Sequence, residues 1–201
     1  MSICVAVDRF DAGPQPAGRP PAPGRLAYVQ AFLNTFWDLD RPHGGEVWTS
    51  PAAYGVWLAQ RGFRAPVARA DLKRALELRE GLRALCLANH DDGDAPASIA
   101  LLDRLAHAVA PGAGLAPSLA DRTLDPAAEG PDAACALVLG IVFAARLQGS
   151  FGRLKACPHE RCGWAFYDTS RNRSGQWCSM RICGNRTKGE AFRRRHASHL
   201  R

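Results

Sequence analysis

Cys157-Pro158-His159-Glu160-Arg161-Cys162 and, after fifteen intervening residues, Cys178-Ser179-Met180-Arg181-Ile182-Cys183 decide how the last quarter of the chain folds. Two cysteines with four residues between them, on a tight turn, can point at one ion. A second such pair, a hairpin's length away, closes the site. Thiolates supply both the softness and the charge that Zn2+ prefers in a tetrahedral site. Cys157, Cys162, Cys178 and Cys183 are therefore the expected ligands of one zinc ion. Four thiolates leave no open coordination position, so the metal is expected to be structural. The competing reading is four unrelated or redox-active thiols. His159 lies inside the first pair, either as an exposed turn histidine or as a rival ligand.

The insert between the pairs is aromatic and strand-like over Gly163-Trp164-Ala165-Phe166-Tyr167-Asp168. Asn172-Arg173-Ser174-Gly175 supplies a turn and Gln176-Trp177 returns, which reads as a hairpin. Ser179 is an expected N-cap, placing Cys183 in the first turns of a helix that runs to about His196. A zinc knuckle, a hairpin and a helix bearing the last ligand form a treble-clef layout. Trp164 and Trp177 are expected in its core. So small a segment buries too little surface to fold alone, and the metal would supply the missing stability.

Charge is distributed unevenly. Residues 153–201 hold twelve Lys/Arg against three Asp/Glu, whereas residues 1–152 hold fourteen against sixteen. The tail is thus +9 and the rest −2, an arrangement suited to a basic reader of a polyanion beside a neutral partner domain. Arg171, Arg173, Arg181, Asn185, Arg186, Lys188, Arg193, Arg194 and Arg195 lie on the turn and the last helix. Arginine forks match phosphate geometry. A helix carrying Asn185, Arg186 and Arg193 suits a major groove while turn arginines hold the backbone. The alternatives are a solvated tail and a surface for an acidic protein.

Residues 1–150 read as a mostly helical domain with a little sheet, so the fold class is α+β with a small zinc finger at residues 151–201. A short strand is expected at 3–7 and a Pro/Gly-rich loop or mobile arm at 11–24. Helices follow at about Arg25–Leu39, from the Ser50 cap to Gly62, and at about Pro66–Asn89, Ala97–Val109 and from an Asp132 cap to about Gly149. A weak strand pair is expected over 113–124, and Gly149-Ser150-Phe151-Gly152 reads as a linker. No apolar run is long enough to span a membrane. The N-terminus lacks the pattern of a signal peptide, so a cytoplasmic protein is expected. No phosphate loop, HExxH or Gly-x-Ser-x-Gly motif is present, and Cys86 and Cys135 fall on apolar helix faces. An enzyme is not expected.

Cys162-Gly163-Trp164-Ala165-Phe166-Tyr167-Asp168-Thr169-Ser170-Arg171-Asn172-Arg173, then Trp177-Cys178-Ser179-Met180 and Cys183-Gly184-Asn185-Arg186, resemble the CGNR zinc-finger family, named for that last tetrapeptide. In that family the finger follows an ABATE domain, and the pair is regarded as a stress-induced transcription regulator of bacteria. Phe32-Leu33-Asn34-Thr35 and Leu78-Arg79-Glu80-Gly81-Leu82-Arg83 resemble elements of that domain. The resemblance implies that the four cysteines bind zinc and that the finger binds DNA.

Asn34 and Thr35 are polar on an otherwise apolar helix, and Arg79 and Arg83 share a helix face. Buried, such groups need partners. One reading is an internal hydrogen-bond network, or salt bridges with Glu80 or Asp38. The other is a pocket for a small anionic effector that reorients the finger. Together these features lead to the expectation of a DNA-binding transcriptional regulator. A symmetric dimer fits it, since two fingers would read two half-sites. The alternatives are an adaptor docking an acidic protein and an RNA-binding protein.

Overall fold

The computed structural model describes residues 9–38, 45–91, 93, 95–119 and 123–198. The strand expected at 3–7 lies outside them.

Among the described residues, five helices build the larger part: α1 (Leu26–Leu33), α2 (Pro51–Ala59), α3 (Arg69–Ala88), α4 (Pro96–Ala113) and α5 (Pro131–Leu147). Two short antiparallel pairs are inserted among them. Strand β1 (Phe36–Trp37) pairs with β2 (Gly45–Glu46), and β3 (Leu115–Ser118) pairs with β4 (Thr123–Pro126). The fold class is the mixed, mostly helical one expected. No described helix is long and apolar enough to cross a membrane.

Ser50 caps α2, its hydroxyl accepting from the Ala53 N–H at 3.1 Å, with Pro51 in the first turn. Tyr54, Trp57 and Leu58 are the buried residues of that helix, as their spacing predicts. Helix α1 stops at Leu33, short of Leu39. The Asn34 side chain turns to another segment and the Thr35 hydroxyl donates to the Phe32 carbonyl at 2.8 Å, and both compete with helix continuation. Asp132 does not cap α5. It lies within the first turn, and its carboxylate binds Arg74 at 2.8 Å, tying α5 to α3.

The partition between helical domain and finger is itself a two-stranded sheet, β5 (Leu154–Ala156) with β6 (Ala165–Tyr167). Successive side chains of a strand point to opposite faces. Leu154, Ala156, Ala165 and Tyr167 accordingly join the core of the five helices, and Phe166 joins a second core around the four cysteines. The strand predicted at Gly163–Asp168 thus exists, but its partner is the segment before the first cysteine pair rather than Gln176–Trp177. The Cys157–Cys162 turn brings its own flanks together antiparallel. Phe151, expected in a linker, is buried in the main core.

The Pro-rich segment is seated rather than mobile. Ala12 and Ala22 are buried, and Arg19 donates to the carbonyls of Tyr167 (3.2 Å) and Trp177 (3.1 Å) with its guanidinium 4.6 Å above the Phe166 ring. The segment runs as a strap from the helical domain across the finger.

Candidate metal centre and nucleic-acid interface

Cys157 and Cys162 sit at the two ends of the turn that links β5 to β6. Cys178 and Cys183 precede α6 (Asn185–Ser198), Cys183 within the wide turn Met180–Gly184 that leads into it. Ser179 caps that start, accepting from the Ile182 N–H at 3.4 Å. The turn is wide, because both the Cys183 N–H (3.0 Å) and the Gly184 N–H (3.2 Å) donate to the Ser179 carbonyl. The four Sγ atoms lie within 4.8 Å of one another, and all four residues are buried.

The cluster has the dimensions of a zinc tetrathiolate. A Zn–S bond of about 2.3 Å gives a tetrahedral S···S edge of about 3.8 Å. Here Cys162 and Cys178 are 3.7 Å apart and Cys178 and Cys183 are 3.6 Å apart. The thiols cannot all ionise on their own. Hydrogen bonding among them, centred on Cys157, holds Cys162 and Cys178 protonated well above the usual thiol range. Four thiolates at this spacing need a cation, and Zn2+ is the one this all-sulfur donor set fits. Trp164, Trp177 and Ile182 pack around the cluster, as expected for the two tryptophans. His159 is buried rather than exposed and stands outside the four-sulfur cluster. Its Nδ1 accepts from the Arg161 N–H at 3.2 Å, and its Nε2 is 3.7 Å from the Glu190 carboxylate.

The eight candidate nucleic-acid contacts, Arg171, Arg173, Arg181, Asn185, Arg186, Lys188, Arg193 and Arg194, are all solvent-exposed, as is Arg195. The arginine turn at 170–175 is held from beneath by a feature that the sequence reading missed. Lys155 and Asp168 form an ion pair at 3.1 Å, each side chain only 1% exposed. Lys155 Nζ also donates to the carbonyls of Arg173 and Gly175 (3.4 Å), and Asp168 accepts from the N–H groups of Ser170 (3.0 Å) and Gly175 (2.8 Å). Gly175 is needed there, since a Cβ would come within 2.8 Å of that fixed carboxylate. Arg173 is held left-handed at φ 51°, a conformation that costs a non-glycine residue about 1–2 kcal/mol. The ion pair offsets that strain and fixes where Arg171 and Arg173 point.

Burial alone would raise the Asp168 pKa, but Ser170, Lys155 and the Gly175 N–H bring it down to about 2. A depressed folded-state pKa contributes stability that is present above the unfolded value and lost as pH falls through about 2. The Asp168 carboxyl carbon should therefore hold its ionised chemical shift down to pH 4, where an ordinary aspartate is nearly half protonated. A midpoint near 4 would show that the pairing is absent.

Asn34, Thr35, Arg79 and Arg83, the residues put forward for an effector pocket, are bonded to protein groups, and Asn34 and Arg83 join the domain to the finger. Asn34 pairs with the backbone of Ala165 in both directions, donating to its carbonyl at 2.9 Å and accepting from its N–H at 2.7 Å. It thereby acts as a one-residue extension of the β5–β6 sheet. Arg83 donates to the carbonyls of Gly163, Leu33 (2.8 Å) and Phe36 (3.2 Å) and to Glu80 (2.9 Å). Gly163 offers its carbonyl from a turn at φ 66°, a conformation that suits glycine. Arg79 binds Thr35 (3.1 Å), Glu80 (2.8 Å) and both carboxylate oxygens of Glu46 (2.8 and 2.6 Å). The internal network read from the sequence is present, with Glu46 as an acid that reading did not name.

Other groups complete the joint. Gln30 donates to Ala165 O at 3.1 Å and to Gln15 at 2.8 Å, and Gln15 accepts from the Trp164 indole at 3.2 Å. At the end of α3, Asn89 donates to the carbonyls of Phe151 (3.0 Å) and Leu154 (2.8 Å), and His90 Nε2 lies 2.7 Å from Ala156 O. Cys86 and Cys135 are buried, and burial pushes each thiol up to about 12.

Residues 153–196 match the model of the CGNR zinc finger, and residues 26–147 match that of the ABATE domain, described as "Putative stress-induced transcription regulator". No curated protein matches the chain. The ABATE match ends with α5 and the CGNR match begins at the partition sheet, so the two models divide the molecule where the Asn34–Arg83 joint binds it together. With well over half its length covered, the chain belongs to the ABATE family and carries a CGNR zinc finger after that domain.

Proposed function

We propose that the chain is a transcriptional regulator that binds duplex DNA through its finger, with one structural zinc ion serving as a clamp. The observation that carries this reading is the exposed basic set on two adjoining elements, the turn bearing Arg171 and Arg173 and helix α6. Each element is fixed from behind, the turn by the Lys155–Asp168 pair and the helix start by the thiolate cluster. Rigid placement matters because contacts must be made without ordering long side chains and loops at the moment of binding.

Helix α6 has 14 residues. At 1.5 Å per residue it is about 21 Å long, enough to lie across a major groove about 12 Å wide. Asn185 and Arg186 at its start suit base edges, and the arginines of the turn and of the helix's second half suit phosphates. When bound, the zinc ion supplies charge neutralisation and rigidity. Four thiolates would leave it no site for substrate, which supports a reader rather than an enzyme.

The test is a titration of the zinc-loaded chain with genomic DNA fragments across salt concentrations. Neutralising six phosphates would give log affinity a slope of about −5 against log salt. Arg193→Ala should weaken binding alike on all sequences and reduce that slope by about 1. Binding that ignores salt, or that survives only with RNA or an acidic protein, would replace this reading.

A further inference from the structure

The two cysteine pairs are tied to the helical domain by different means. The first is held by the body of the domain. The Asp38 N–H donates to the Cys162 carbonyl at 3.2 Å, Arg83 donates to the Gly163 carbonyl, and the Trp37 and Trp164 rings meet edge to face with centroids 5.0 Å apart. The second is held by the Pro-rich strap. We propose that Arg19 of the strap is a positioning residue for the metal, which keeps Cys178 and Cys183 closed on Cys157 and Cys162 and so sets how slowly zinc leaves. The proposal rests on the reading of the cluster as one structural zinc site.

The need for Arg19 begins at the free edge of β6. In an antiparallel pair, alternate residues turn their N–H and C=O groups towards the partner strand and away from it. The Trp164 carbonyl accepts from the Cys157 N–H at 2.8 Å, and the Asp168 N–H donates to the Arg153 carbonyl at 2.7 Å, so these residues face the β5 side. Ala165 and Tyr167 therefore turn their backbone groups the other way. A returning strand at Gln176–Trp177 would pair with them, but among the described residues β6 pairs with β5 alone. Asn34 takes the Ala165 groups, and Arg19 takes the Tyr167 carbonyl at 3.2 Å. The same guanidinium donates to the Trp177 carbonyl at 3.1 Å. One side chain thus stands where strand pairing would join β6 to the residue before Cys178.

Arg19 also lies against the metal core. Its guanidinium is 4.6 Å above the ring of Phe166, which is completely buried in one core with the four cysteines. Trp177, whose carbonyl it holds, packs on Gly184 beside Cys183, where a Cβ would come 3.1 Å from the indole Cδ1. Fixing Trp177 therefore fixes both ends of the Cys178–Cys183 segment. Gln15, on the same strap, accepts from the Trp164 indole at 3.2 Å, so the strap grips a tryptophan near each cysteine pair. Pro14, Pro16, Pro20, Pro21 and Pro23 fix φ and reduce the entropy lost when the strap is seated, so few contacts suffice to hold it.

The test is the rate at which zinc passes from the intact chain to excess chelator, well below the melting temperature. Arg19→Met should speed that transfer about tenfold to a hundredfold, the usual effect of losing a group that orients metal ligands from outside. It should also alter the visible absorption of the Co2+-loaded chain, which reports ligand geometry. Arg19→Lys should fall between, because one ammonium cannot serve two carbonyls as the planar fork does. Arg25→Met is the control. Arg25 stands at the other end of the strap and pairs with Asp125 of β4, so its loss should leave zinc transfer unchanged. Should Arg19→Met misfold, the wild type decides by linkage: a residue that tightens zinc is itself tightened by zinc, so the Arg19 guanidinium protons should exchange at least about tenfold faster after chelation. Equal transfer from wild type and Arg19→Met, equal acceleration in Arg25→Met, or guanidinium exchange indifferent to chelation would overturn the proposal. A wild-type chain that takes up no zinc would overturn the structural-zinc reading as well.

Discussion

Cys178→Ser should cost the protein its turn and last helix while leaving the partition sheet in place. Apparent zinc-binding free energies in finger peptides are about 10–16 kcal/mol, far more than so small a segment can recover from its own burial. Cys178 is completely buried at the centre of the cluster, 3.7 Å from Cys162 and 3.6 Å from Cys183. Its loss removes one of the four ligands and leaves the metal weakly held. The second core, which consists of the cysteines, Phe166 and their packing partners, then has nothing at its centre. Leu154, Ala156 and Ala165, by contrast, belong to the main core and stay bonded to Asn89, His90 and Asn34 respectively. Hydrogen exchange should show protection lost over 168–196 and kept at the Ala165 N–H. Loss at both would mean that domain and finger unfold as one unit, and loss at neither would mean that the metal is dispensable.

Arg83→Met is expected to destabilise the whole chain by about 3–5 kcal/mol, because breaking a buried charged network strands its other members. Arg83 is 8% exposed and satisfies carbonyls from three segments, Leu33 at the end of α1, Phe36 in β1 and Gly163 in the knuckle. Methionine fills much of the volume but donates nothing, so buried carbonyls go unpaired at a cost of about 1–3 kcal/mol each. For a chain of this length the melting temperature should fall by roughly 10 °C. Arg83→Lys should recover little, since one ammonium cannot reproduce a planar fork aimed at several carbonyls. Arg104→Met, on an exposed position of α4, is the control and should change stability by less than about 0.5 kcal/mol. A fall of under 1 kcal/mol for Arg83→Met would contradict the joint.

The metal centre was legible from spacing alone, because cysteine pairs on tight turns leave a local pattern. Ser50 with Pro51, and Ser179 before Cys183, were equally readable, since a cap acts within one turn of chain. What escaped was non-local. The sequence does not mark Lys155 as buried, because a lysine in a three-residue strand looks the same whether it meets water or Asp168, thirteen positions on. Asn34 and Arg83 were recognisable as polar groups needing partners. Those partners proved to be backbone atoms of Ala165 and Gly163, which have no side-chain signature. The strap at 11–24 was read as a loop or mobile arm from its proline and glycine content, yet Arg19 and Gln15 seat it on the finger. Asp132 shows the opposite error, an acid placed correctly near a helix start but engaged by Arg74 instead of capping.

On the proposed function, zinc holds the basic turn and helix in the form that grips DNA. The most direct measurement is the affinity of the intact chain for genomic DNA at fixed salt with zinc bound, after chelation, and after zinc is returned. A loss of at least about a hundredfold is expected on chelation, equivalent to about 2.7 kcal/mol, with recovery when zinc is restored. Affinity unchanged by chelation would contradict it.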